Sequence, residues 1–548
     1  MLRIAVFLKL RLGFVWSWLI SLSAFRKFVS RTAYKKYASA APPRPYAKDM
    51  SANYTSWKGL TNRAYTGRHL PQNDRQAPLP SESSLVDLFL RTPSAAGQST
   101  QSDCIRSSVM FASFAQWFTD SFLRTDHAFD FDAAGNVKTN AKGDPIRLPG
   151  RHQRNTSNHE IDLCQIYGLS EAQTDLLRLK NPKRRGRLKA QQTPDGEYPE
   201  FYLKSAPNNA GGLVPLAVKA QFDGLHDERI VRWIFKKAQH HINGYETLFA
   251  VGLEHGNATL GNTLLNTIFL REHNRVADEI SEAHPTWDDD QVFETTRNVM
   301  IVLLLKIVIC DYIRHISPMD FPFEVMPGFA EQFDWYRTNR ISIEFNLLYR
   351  WHGLVPDQYA FLPNAGNPRG FLHNNDWLLQ TGVAGAVKHF SEQRAGKILI
   401  GNTPQFLRSV KEDTIDLMRA SKLASYNDYR ERFGFKRAAS FSDVTKNESL
   451  AKDLSALYSG DIEALEWYIG MFAEDHGKEM IMGDLLMTMV AHDAFTHALT
   501  NPLLSRAVFN EATFSKTGLK LIDETTTLSQ LVNRVAGADH GVFCSFRV

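Results

Sequence analysis

The chain has 548 residues, 43% apolar and 22% charged, so it is long and apolar enough to bury a large core and is not a disordered chain. Its net charge of +4 is too small for that length to argue for nucleic acid as a partner. Four scattered cysteines, Cys104, Cys164, Cys310 and Cys544, form no CxxC pair, which argues against a disulfide framework or a structural zinc site and points to a reducing compartment.

Residues 1–38 mix an apolar stretch around Phe14 to Leu19 with Lys9, Arg11, Arg26, Lys27 and Arg31. Lys9 and Arg11 break the run of ~20 apolar residues that a membrane span needs. Together with Trp16 and Trp18 they suit a helix lying in the membrane interface. A signal peptide or a single span are the competing readings, and the internal charges and the missing small-residue cleavage site weigh against both. Residues 39–105, which include Ala41-Pro42-Pro43-Arg44-Pro45, read as an extended wrap with few regular elements.

From residue 106 to 548 helical patterns dominate, with the clearest over 109–123, 260–280, 292–313, 462–473 and 479–499. In the second, Leu260, Leu264, Ile268, Val276 and Ile280 mark one buried stripe. The apolar run from Val299 to Ile309 carries Lys306 and is followed by Asp311, so it reads as a core helix and not a membrane span. A basic cluster, Lys180, Lys183, Arg184, Arg185, Arg187 and Lys189, precedes the turn signal Thr193-Pro194-Asp195-Gly196. No aromatic residue interleaves with it, so it reads as a solvated hairpin or loop without a nucleic-acid role. The expected fold is mainly α.

The chemistry gathers in Glu344-Phe345-Asn346-Leu347-Leu348-Tyr349-Arg350-Trp351-His352. Tyr349 and His352 are three apart, so on a helix they share a face. An imidazole there can hold haem iron and keep the phenol near the porphyrin edge, where oxidation leaves a tyrosyl radical able to remove hydrogen from a C–H bond. Taken alone, the pair also fits two side chains satisfying local hydrogen bonds.

Other segments decide between these readings: Leu270-Arg271-Glu272-His273-Asn274-Arg275-Val276-Ala277, then Ala283-His284-Pro285-Thr286-Trp287; Phe114-Ala115-Gln116-Trp117-Phe118-Thr119-Asp120; Ile161-Asp162-Leu163; Ala464-Leu465-Glu466-Trp467-Tyr468; and Ser545-Phe546-Arg547-Val548. From about Tyr54 to Val548 the chain resembles the animal-type haem peroxidase superfamily, in particular its cyclooxygenases (prostaglandin endoperoxide synthases) and the α-dioxygenases.

The resemblance implies a single large haem peroxidase domain and a haem-dependent fatty-acid dioxygenase that adds O2 and releases a hydroperoxide. His352 falls on the proximal iron ligand, Tyr349 on the radical tyrosine, Tyr468 on a residue behind the proximal imidazole and Gln116 on the distal glutamine, with Trp351 counted among the cofactor contacts. His273 is expected to serve a structural network and not to ligate. Asp120 stands where the family keeps its distal histidine, so peroxidase activity should be weak or altered. His255, ahead of His127 and His159, is the candidate substitute.

Thr119 and Ala258 occupy the positions where related enzymes esterify their haem, which implies non-covalent haem b. Lys35 aligns near the arginine that holds the substrate carboxylate; its other reading is attraction to anionic lipid. Met319 and Ala494 replace a channel-mouth tyrosine and the acetylatable serine, and His497 fills a small-residue position near the channel's far end. The carbon attacked stays open between mid-chain and the position beside the carboxylate. A peroxidase of small phenols or halides, and a haem- and fatty-acid-binding protein weakened by Asp120, are the alternatives. The expected partners are fatty acid, O2, a membrane surface on the cytoplasmic side, and a second copy in a homodimer.

Overall fold

The computed structural model describes residues 9–38, 66–74, 78–92, 101–127, 129–141, 145–148, 154–204, 217–238, 245–336, 339–363, 367–477, 480–536 and 541–548. Helices dominate these residues, and the strands form three two-stranded antiparallel pairs. The chain is therefore the mainly α fold that the periodicity predicts.

At the N-terminus, α1 (Gly13–Ser21) and α2 (Ser23–Tyr37) form a hairpin broken at the extended Leu22. Its inner side is anchored: Trp16 packs on Phe25 and Phe321, Arg26 pairs with Glu324 at 2.6 Å, and the buried Tyr34 hydroxyl donates to the Glu324 carbonyl at 2.8 Å. Its outer side leaves Leu10, Leu12, Phe14, Trp18, Leu22 and Phe28 exposed, Phe14 by 87%.

Most of the expected wrap, including 39–65 and 93–100, lies outside the described residues. The rest of it contains a helix that the Pro- and Ser-rich composition concealed, α3 (Glu82–Phe89). Ser81 caps it by accepting from the Ser84 amide, while Leu85, Val86 and Phe89 bury one face. Next come β1 (Asp103–Ser108) and α4 (Val109–Thr119), which ends at Asp120, short of the predicted Leu123.

The turn signal makes the hairpin of β2 (Ala190–Thr193) and β3 (Gly196–Pro199), with Thr193 opposite Gly196. The basic cluster before it is tied to acids, Arg187 to Glu197 and Asp278 and Arg184 to Glu197.

The core is built on α5 (Leu260–Ala283) and α6 (Asp289–Ile307), capped by Thr259 and Asp288. Close approach to α4 is made at Gly261, where a Cβ would stand 2.6 Å from Ser113. The predicted helix over 292–313 is interrupted: α6 passes into a π-helical turn, Val308–Tyr312, an irregularity that apolar periodicity cannot reveal. No helix among the described residues is long and apolar enough to cross a membrane, and Lys306 uses its ammonium to cap the carbonyls of Ile522 and Asp523.

Beyond α7 (Ile343–Leu348) come α8 (Asn375–Glu392), β4 (Arg394–Gly396), which pairs with β1, and α9 (Arg408–Ala420). The chain ends with α10 (Trp467–Ala473), α11 (Asp484–Leu499), α12 (Glu511–Glu524) and the short helix Leu528–Val535. The predicted 462–473 helix divides into a 3-10 turn, Ile462–Ala464, and α10; of the 479–499 pattern, residue 479 lies outside the described residues.

On α5 the charged run forms a closed network. His273 bridges the Tyr167 hydroxyl and the Gly186 carbonyl, each at 2.8 Å, and Glu272, fully buried, sits between Arg275 at 2.8 Å and Arg534 at 2.6 Å. Removing the shared anion leaves two guanidiniums facing each other. Glu272→Ala is expected to destabilise the protein by roughly 3 kcal/mol, read as a lower thermal unfolding midpoint, with Glu272→Gln falling between it and the parent.

Candidate functional site

Ser342 caps α7 by accepting from the Phe345 amide, and the helix stops after Leu348. Tyr349 is its C-cap, the Trp351 amide turns back to the Tyr349 carbonyl at 2.9 Å, and His352 opens a 3-10 turn, His352–Leu354. The expectation that Tyr349 and His352 share a helical face is therefore corrected: the helix ends between them. Two tertiary contacts explain this. The Tyr468 hydroxyl takes the Arg350 carbonyl at 3.0 Å, and Gly353 presses so closely on the Lys397 carbonyl that a Cβ would stand 2.4 Å away.

The Tyr349 ring stacks on Trp351, with centroids 4.5 Å apart, and meets Phe345 edge-on at 5.5 Å. Trp351 continues the stack to Phe111 at 6.3 Å. The Tyr349 and Tyr312 hydroxyls are buried near each other, and neither has a hydrogen-bond partner among the described residues. Burial pushes both phenols upward, so both are neutral. His352 is shifted the other way: burial, then the Lys411 and Arg350 cations, hold it well below the ordinary imidazole range. Its Nδ1 is buried without a hydrogen-bond partner. The result is a neutral imidazole with a free lone pair.

A cavity of about 520 Å³, in the range that buries a cofactor-sized ligand, is walled by Asp120, Arg124, His127, His255, Arg350 and Leu417 among others. Asp120 at the end of α4 accepts from the Asn262 side chain at 3.2 Å. Burial pushes its carboxyl up to about 6, against the pull of Arg124, the Asn262 bond and Arg350. His255 has its Nε2 3.7 Å from Glu254, whose carboxylate is ion-paired with Arg124. Burial takes His255 down to about 4 despite Glu254, and His127, with its ring 5.6 Å from that of His255, is held at about 4 chiefly by burial as well. The structure thus brings Asp120, His127, His255 and Arg350 to one void. His159 lies apart, accepting from the Ile341 amide at 2.9 Å, and Gln116 is exposed, outside the described cavity wall.

The remaining sequence-derived residues lie on α2, on α11 and in the turn at Met319. His497 is buried with its ring 5.3 Å from Phe345 and 6.1 Å from Phe122, Ala494 is buried on the same helix, and Met319 is half-buried. Lys35 lies exposed beside a second cavity of about 310 Å³ that also meets Arg31, Gln332 and Arg506. Sequence reasoning missed Tyr312, the Arg124–Glu254 pair and Lys411. Only Lys411, a lysine on the inward stripe of an amphipathic helix, left a signal that could have been read.

A neutral buried imidazole, a void of cofactor size walled by Arg350 two residues before it in the chain, and a buried unsatisfied Nε on that arginine fit a haem with anionic side arms. Residues 120–542 match the family described as Animal haem peroxidase. The chain belongs to that family. This haem peroxidase is 30% identical to prostaglandin G/H synthase 2 of Bos taurus, across 97% of its own length and 80% of the relative's. To prostaglandin G/H synthase 1 of Rattus norvegicus it is 32% identical, across 94% and 78%. Its fold is shared with peroxidase A from Dictyostelium discoideum, TM-score 0.61 at 19% identity, covering 92% of this chain and 94% of the other. It is shared equally with a tyrosine-to-phenylalanine variant of fatty acid alpha-dioxygenase from Oryza sativa solved with palmitic acid, TM-score 0.64 at 16% identity, covering 96% and 93%.

The raised Asp120 pKa fixes the sign of a pH effect. Folding favours the protonated carboxyl, so the contribution is fully present below the unfolded value of 3.8 and is lost as pH rises through about 6. Asp120→Asn should therefore be more stable than the parent by roughly 1–2 kcal/mol at neutral pH, with the difference vanishing in the acid range; unfolding midpoints measured across that range check it.

Proposed function

We propose that this haem peroxidase is a fatty-acid dioxygenase in which His352 holds a non-covalent haem b and Tyr349 carries the radical. Haem, when bound, supplies the peroxide-driven oxidation of the Tyr349 phenol. The observation that carries the reading is the burial of that phenol against Tyr312, with Trp351 stacked on its ring. A neutral phenol in an apolar pocket must give up its proton with its electron, and the Tyr312 oxygen is the group that faces it. The Tyr349 radical then takes hydrogen from a fatty-acid C–H bond, the carbon radical adds O2, and the peroxyl radical takes the hydrogen atom back from the Tyr349 phenol, leaving a hydroperoxide and restoring the tyrosyl radical.

In the cavity Asp120 and His255 share the distal proton-transfer task, Asp120 as the acid that burial keeps protonated in the mildly acid range and His255 as a neutral base beside Glu254. The fatty-acid carboxylate is assigned to Lys35 at the end of α2, with Met319, Ala494 and His497 along the acyl path. His497, wedged between Phe122 and Phe345, restricts the far end of that path. The exposed apolar side of the α1–α2 hairpin serves as a peripheral membrane anchor on the cytoplasmic side, and a homodimer is the assembly proposed with it.

Tyr349→Phe is expected to keep its haem absorption and to lose oxygen uptake with a fatty-acid panel, whether or not peroxide is added. Unchanged uptake would instead support a peroxidase of small phenols. Uptake by neither protein would leave a haem- and lipid-binding protein. His352→Ala should lose the Soret band on reconstitution. Asp120→His, which restores an imidazole at the distal position, should raise peroxidase turnover by about 10²-fold.

Replacing Phe14, Trp18 and Phe28 together by glutamate is expected to lower binding to anionic lipid vesicles by at least about tenfold in a sedimentation assay, with the protein still folded.

A further inference from the structure

Lys411 takes no part in the chemistry above, yet it is 1% exposed within the core. Its Nζ donates to the Tyr468 hydroxyl at 2.8 Å, and that hydroxyl donates to the Arg350 carbonyl at 3.0 Å. Around the amine stand three rings, Phe89 at 4.2 Å, Tyr468 at 5.0 Å and Phe472 at 5.7 Å from Nζ. Apolar burial and the Arg350 guanidinium push its pKa well below the lysine range, and no carboxylate opposes them. A buried amine without an anion destabilises a core that methionine would fill with no polar atom to satisfy.

What the amine gains is a hold on one peptide group. In a continuing helix the Arg350 carbonyl would accept from the residue-354 amide. Here the Leu354 amide goes to Trp351 at 2.9 Å, and the Arg350 carbonyl is left to Tyr468. The far side of the same turn is pinned independently, since Arg91 donates to the Gly353 and Val355 carbonyls at 3.3 and 2.9 Å. Lys411 and Tyr468 therefore fix the side of the turn that joins Tyr349 to His352.

We propose that Lys411 is a positioning residue: by donating to Tyr468 it holds the Arg350 carbonyl and so sets how the His352 imidazole is presented. This rests on the reading of His352 as the proximal ligand, but not on the identity of the substrate.

The test uses reconstituted holoprotein, reduced to the ferrous form, with Lys411→Met, Lys411→Arg, Tyr468→Phe and the Lys411→Met/Tyr468→Phe double variant. Resonance Raman spectroscopy reads the iron–histidine stretch, and electron paramagnetic resonance reads the radical formed with peroxide. Lys411→Met and Tyr468→Phe should shift or broaden the iron–histidine band in the same direction, the double variant no further than either single one, and Lys411→Arg should restore it. Tyr468→Phe changes least volume and keeps the test open if Lys411→Met does not fold. An unchanged band in folded variants, whatever their unfolding midpoints, would reduce Lys411 to packing and overturn the proposal. Additive shifts in the double variant would do the same. A parent protein with a normal iron–histidine band but no tyrosyl radical would defeat the oxygenase reading and leave the positioning role standing.

Discussion

The exit of the chain from α7 is the constraint on which the site depends. Four residues, 349 to 352, must turn a phenol and an imidazole to different tasks, and an uninterrupted helix would set them one above the other. The turn is held from both sides by groups remote in sequence: Tyr468 at the Arg350 carbonyl, Arg91 and Asn402 at the Gly353 carbonyl. Arg91 is itself fixed by Asp357 at 2.6 Å. Such outer contacts give a site its pre-organisation, because the reacting side chains inherit the rigidity of the backbone that carries them.

Burial then sets protonation states with little help from specific charges. The Tyr349 and Tyr312 phenols, the His352 imidazole and the Asp120 carboxyl are all driven toward their neutral forms by removal from water. Elsewhere charge is kept by pairing, as in Arg124 with Glu254 and Glu272 with Arg534. The two sides of His352 and Asp120 differ accordingly. Around the imidazole stand the buried Lys411 amine and the Arg350 guanidinium, whereas the surroundings of Asp120 include the acid Glu254, 3.7 Å from His255 Nε2.

The N-terminal hairpin is joined to the same core. Tyr34 of α2 packs on Phe495 of α11, centroids 5.0 Å apart, and His497 on that helix packs on Phe345, which in turn meets Tyr349. Two sets of ring contacts, one from the hairpin to Phe495 and one from His497 to the phenol, are thus joined through the backbone of α11. The hairpin thus carries two faces, an apolar outer side left exposed and an inner side packed on the core.

The sequence by itself determined the mainly α class, the long core helices, the hairpin at 190–199 and the membership in the haem peroxidase family. These follow from periodicity, turn chemistry and local motifs that act over a few residues. It also brought Tyr349 and His352 forward as one motif, and Asp120 with His255 as distal candidates. Only the tertiary structure decided that α7 stops before Tyr349, that a π-turn delivers Tyr312 to face it, and that Lys411 reaches Tyr468 across 57 residues. The first and the last rest on contacts between groups far apart in sequence, Tyr468 with the Arg350 carbonyl and Lys411 with Tyr468. Local propensity does not encode such contacts, because the competing intrahelical bond is equally good until the rest of the core is in place.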